Sequence, residues 1–156
     1  MRLRPLRDTS RLTPAAEARR QASVAALAAA IAGAGRGEPV RVLEALAAVV
    51  INRMLAARAR RAPAAWGVDL AAALRAPGLF PDAPAGEADA TLAAASRRIA
   101  ARAAAGSLPD PTGGALWWHR AGTPPTEAAE GADALRLGGI VFLRPAPRPA
   151  EAADGG

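Results

Sequence analysis

The sequence contains no cysteine, no lysine and one histidine, His119. Without cysteine there is no disulfide, no thiolate nucleophile and no cysteine-based zinc site. One imidazole cannot build a histidine cluster around a metal, so neither metal nor cofactor is expected. A Ser-His-Asp triad would have to use His119, and no G-x-S-x-G elbow accompanies it. No apolar run reaches the length of about 20 residues that crosses a bilayer.

What remains is a chain of one-domain length, half apolar, with alanine supplying most of that half. Alanine buries little area, so Leu, Ile, Val, Trp and Phe must carry the core. The 20 basic residues, all arginine, outnumber 14 acidic ones, for a net charge of +6. Such a surface favours anionic polymers or lipids. The Ala/Arg/Gly/Pro bias is also what a GC-rich genome produces, which weakens charge as a functional clue.

Residues 1–13 read as a loose Arg-rich arm, 14–145 as one domain, and 146–156 as a disordered Pro/Ala/Gly-rich tail. Thr13 and Pro14 are a cap and first-turn pair for a helix running to about Ala32. Its apolar face is Val24, Leu27, Ala28 and Ile31, and Gly33, Gly35 and Gly37 end it. Arg19-Arg20 before this run have the order of a secretion signal. The run is short and starts late for one, so a helix is the expected reading.

Pro39 opens a second helix with a buried stripe of Leu43, Leu46, Ala47, Val50 and Met54. Residues 66–76 suggest a short helix, 76–86 a loop, and about 86–105 a third long helix. "ALWWHR" and "LRLGGIVFLRP" read as two strands of a small antiparallel sheet. Gly138-Gly139 inside the second signals a bulge or a close backbone approach. The expected class is α+β, mostly helical.

Several residues invite a chemical reading. Glu38 is either a substitute acid or a charge at a helix start beside the dipole; Glu44 is a second acid, expected to face solvent. In a strand, Trp117 and His119 share one face and Trp118 takes the other, so one indole can serve as a sugar platform. Asp110, Thr112, Gly113 and Gly114 build a turn. Asn52-Arg53 ends the second helix.

"GRGEP", "ALAAVVINRM", "DPTGGALWWH" and "GGIVFLR" occur in that order, and the chain from about 24 to 145 resembles the SleB/CwlJ-type cell-wall hydrolases. The resemblance implies a lysozyme-like helical fold with a small sheet, and peptidoglycan glycan strands as partner. It implies glycosidic cleavage of lytic-transglycosylase type, with one glutamate as acid and then base and no metal. It places Thr112, Trp117, Trp118 and His119 at a glycan cleft, and the cell envelope is the compartment if the chain is exported.

Four positions, in three places along the chain, depart from the family's pattern. The catalytic glutamate's place is taken by Ala34, a Gly-Gln pair by Val42-Leu43, and a histidine by Ile140. A methyl group moves no proton, and losing a general acid removes a factor of about 10²–10⁴ in rate. The resemblance therefore implies an impaired enzyme, a pseudoenzyme that still binds glycan. A different reading is an Arg-rich helical module for nucleic acid, supported by charge alone.

Overall fold

The structure is a computed structural model, describing residues 12–80, 88–126 and 129–146. The arm and tail expected from the sequence lie almost wholly outside these residues. Four helices, α1 (Pro14–Ala34), α2 (Val40–Arg58), α3 (Leu70–Leu74) and α4 (Ala90–Ala104), precede three strands, β1 (Trp117–Arg120), β2 (Asp133–Leu137) and β3 (Ile140–Arg144). Among the described residues, no helix is long and apolar enough to cross a membrane.

α1 begins as its sequence dictates. The Thr13 hydroxyl accepts from the Ala16 N–H at 3.2 Å, and Pro14 occupies the first turn. The helix outlasts the expected end at Ala32: Gly33 stays helical and Gly35 caps it through the Ile31 carbonyl. Leu27, Ala28 and Ile31 form the buried face, with Val24 packed at its margin.

α2 is the centre of the molecule. The expected stripe is too narrow, because every residue from Ala45 to Val50 is buried. Alanines on the faces away from Leu43 and Leu46 let other elements close on all sides, so the helix is covered all round rather than amphipathic. Met54 is only half-buried, and its neighbour Arg53 is the buried one at 6% exposure.

Between α2 and α4 the expected helix over 66–76 divides. A 3-10 turn at Ala64–Trp66 stops at Gly67, and α3 restarts behind Asp69, whose carboxylate accepts from the Ala72 N–H at 2.8 Å. Asp89 caps α4 in the same way on Leu92. The expected start of that helix at 86 falls outside the described residues.

The sheet runs β1-β3-β2, antiparallel throughout. The segment 135–145 is therefore two strands, not one interrupted strand. Leu137 pairs with Ile140 and leaves Gly138-Gly139 as a two-residue hairpin loop. Positive φ at Gly138 (56°) but not at Gly139 is the pattern of a II′ turn, whose twist suits paired strands. Phe142, 0% exposed, carries the core-facing side of β3 onto the helices.

Candidate functional site

The two sequence blocks 52–53 and 110–116 meet within the second half of α2; Asn52-Arg53 does not end the helix as expected, because α2 continues to Arg58. Asn52 donates to the Asp110 carboxylate at 2.9 Å and to the Ala115 carbonyl at 3.1 Å. Arg53 Nε donates to the Leu116 carbonyl at 2.7 Å. Asp110 is the hub of this loop. One of its oxygens accepts from the Thr112 N–H (2.8 Å) and hydroxyl (2.6 Å), the other from Gly114 N–H (2.9 Å) and Asn52. Burial pushes this carboxyl's pKa up, but the hydrogen bonds from Thr112, Asn52 and Gly114 outweigh it and hold the pKa below its ordinary value.

Thr112 is 1% exposed, and its hydroxyl also accepts from the Ala115 N–H at 3.0 Å. Its polar atoms are used inside the turn, so what it does for the strand that follows is to aim it. That strand is β1, with the two indoles. Trp118 pairs with Phe142 and packs toward the helices beside Phe80, ring centroids 5.9 Å apart. Trp117 and His119 take the other face, as alternation requires. Neither indole is fully buried or fully exposed. His119 Nδ1 lies 2.9 Å from the Arg120 carbonyl.

Trp117 meets Trp66 edge to face at 5.9 Å, and the Arg53 guanidinium stacks on Trp66, 4.2 Å from its ring centroid. Trp66, expected as the first residue of the 66–76 helix, and Arg53, expected at a helix end, are therefore members of this aromatic face, a role that neither expectation assigned. Burial lowers the Arg53 pKa to about 10, which leaves it charged at neutral pH. Its Nη1 and the Trp117 Nε1 are buried donors without a protein acceptor.

Ala34 ends α1 beside the same strand, since Arg120 Nη2 donates to its carbonyl at 3.0 Å. The position that the resemblance gives to the catalytic glutamate is buried. Ala34 is 6% exposed, and Val42 (1%), Leu43 (1%) and Ile140 (0%) belong to the same buried cluster. Leu43 also lies over Gly35. A Cβ there would strike the Leu43 side chain and approach the Ile31 carbonyl oxygen to 2.9 Å. The four positions that depart from the family pattern, scattered over more than a hundred residues, thus all lie in the buried core.

Glu38 does not act as a helix cap, because Pro39 occupies that position. Instead its carboxylate reaches the β2–β3 turn and accepts the Gly139 N–H with both oxygens, at 3.1 and 3.2 Å. A Cβ on Gly139 would sit 2.5 Å from this carboxylate. The glycine pair is there for a close approach, that of an acid from the far end of the domain. Gly138→Ala, strained by its positive φ and pressed against the same carboxylate, should lower unfolding free energy by about 1–3 kcal/mol in urea titrations. Glu44 is half-buried rather than solvent-facing.

A hollow of about 810 Å³ runs along the first half of α1, the second half of α2, the start of α3 and the end of α4, and Asn52 and Asp110 are in its lining. None of Ala34, Glu38, Thr112, Trp117, Trp118 or His119 lines it. Among the described residues, no group of three or more His, Cys, Asp or Glu side chains could hold a metal ion.

No protein-family model and no curated protein matches the sequence. Solved structures do match the fold. The catalytic domain of the Bacillus cereus SleB protein aligns with a TM-score of 0.59 and 22% identity, over 80% of this chain and 91% of that one. The catalytic domain of the germination-specific lytic transglycosylase SleB from Bacillus anthracis aligns with a TM-score of 0.60 and 24% identity, over 80% and 95%. The chain has the fold of the SleB catalytic domains, a lysozyme-like helical body with a small antiparallel sheet.

Proposed function

We propose that this domain binds the glycan strands of peptidoglycan without cleaving them. The carrying observation is that Ala34, Val42, Leu43 and Ile140 all belong to the buried core. Where the resemblance expects an acid, a Gly-Gln pair and a histidine, the chain has buried apolar side chains. Cleavage needs a proton donor within hydrogen-bond reach of the glycosidic oxygen. Ala34 has none, and Glu38, the acid next along the chain, is held on the Gly139 amide.

Binding is assigned to the outer face of β1. Trp117, braced by Trp66, and His119 lie on that face. Together they offer an apolar plane with a polar edge, the combination a pyranose ring takes. Thr112 and Asp110 contribute by holding the loop that aims the strand, and Trp118 by anchoring it to the core.

Sedimentation with purified sacculi, with duplex DNA as the competing polymer, tests the reading. The chain should pellet with sacculi and resist moderate salt, and Trp117→Ala should weaken retention about tenfold. Retention on DNA instead, collapsing between low and moderate salt, would favour the Arg-rich module.

A further inference from the structure

We propose that the hollow between α1, α2 and α4 is a binding site for a small anionic amphiphile, a single apolar chain ending in a phosphate or carboxylate. Its wall is apolar: Ile51, Met54, Leu70 and Leu108 line it, with Leu55, 47% exposed, at the mouth. Its volume of about 810 Å³ is within the range of small-ligand sites.

The charges at its edge are mixed, three guanidiniums against two carboxylates. Arg19, Arg20 and Arg58 line it alongside Asp69 and Asp110. Asp110 spends both oxygens on Thr112, Gly114 and Asn52, and Asp69 caps α3. Arg20 pairs with Glu17 at 3.7 Å. Among the described residues, Arg19 and Arg58 have no carboxylate partner. Arg58 Nε already donates to the Val68 carbonyl at 2.6 Å. The excess of one arginine over the aspartates, above an apolar wall, suits a ligand with a negative head and a greasy body.

The same charges argue against other occupants. Residues 1–11 carry four arginines against one aspartate and would be repelled. A second copy would bring its own arginines to the same rim. The site shares Asn52 and Asp110 with the loop that aims β1 but none of the aromatic residues of that face, so it does not depend on the glycan reading.

Calorimetry on the full chain tests it, with dodecyl phosphate below its micelle concentration as probe. Inorganic phosphate and dodecyl maltoside serve as the head-only and uncharged controls. Dodecyl phosphate should bind one to one, and added salt should weaken it. Arg19→Gln with Arg58→Gln should weaken it about tenfold or more. Leu55→Gln, an exposed position that leaves the core intact, should weaken it as well. Both variants should still pellet with sacculi. Equal binding of dodecyl maltoside, unchanged affinity in the double arginine variant, or no binding of dodecyl phosphate overturns the proposal. So does concentration-dependent dimerisation abolished by Leu55→Gln, which would make a second copy the occupant.

Discussion

Asp110→Ala should cost the domain about 2–4 kcal/mol of unfolding free energy and loosen the 110–116 loop from α2. Few exposed aspartates carry such an effect. Asp110 does because it collects four donors, from Thr112 (two), Gly114 and Asn52. Removing it leaves the Thr112 amide and hydroxyl, on a residue 1% exposed, without their acceptor. The loop they shape aims β1, so both indoles should move as well.

The pH dependence has a definite sign. The Asp110 pKa in the folded state is below its ordinary value, about 3.9 in the unfolded chain. Its stabilisation is therefore complete above about pH 4 and lost as pH falls through the folded pKa. Urea titrations from pH 7 to pH 2 should show the parent losing stability below pH 4 more steeply than Asp110→Ala. Asp110→Asn keeps one acceptor oxygen and should fall between them. Parallel curves for parent and alanine variant would contradict the hub.

Ala34→Glu should not restore glycan cleavage, and it should destabilise the fold at neutral pH. The new side chain would enter the buried core, to which Ala34, 6% exposed, belongs. Overpacking alone costs about 1–3 kcal/mol. The carboxyl can avoid a buried charge by keeping its proton, at about 1.36 kcal/mol per pH unit above its unfolded pKa near 4.3. That limits the protonic penalty to about 3.7 kcal/mol at pH 7.

A folded-state pKa raised above 4.3 makes this penalty vanish as pH falls toward that value and grow as pH rises. Melting at pH 4.5 and pH 7 should therefore show the deficit of Ala34→Glu shrinking in acid to its steric part. The Arg120 guanidinium is already committed to the residue 34 carbonyl. A variant as stable as the parent at pH 7, and lytic, would mean the core opens onto a cleft.

Local chemistry was legible in the sequence where local forces decide. Thr13-Pro14 starts α1 as capping rules require, and alternation correctly put Trp117 and His119 opposite Trp118. Glycine at 138–139 signalled a close approach, and the approach is real. The partner, Glu38, lies 101 residues away and no local pattern names it. The same glycines were read as an interruption of one strand, although a Gly-Gly pair between apolar alternations is also a hairpin signal.

Burial was harder to read. Arginine near a helix end suggests a surface cation, yet Arg53 is buried because Leu116 and Trp66 receive it. The closure around Ala34 was illegible for a similar reason. Each of Ala34, Val42, Leu43 and Ile140 is an ordinary apolar residue in its own segment, and only the tertiary fold brings them into one core.

Digestion of purified peptidoglycan, followed by mass spectrometry of the soluble fraction, tests the central claim most directly. The chain should pellet with the sacculi and release no muropeptides above the blank, at any pH from 4 to 9. Muropeptides with anhydro or reducing ends, released in proportion to protein and abolished by Glu38→Gln, would contradict it and identify a working acid on the hairpin.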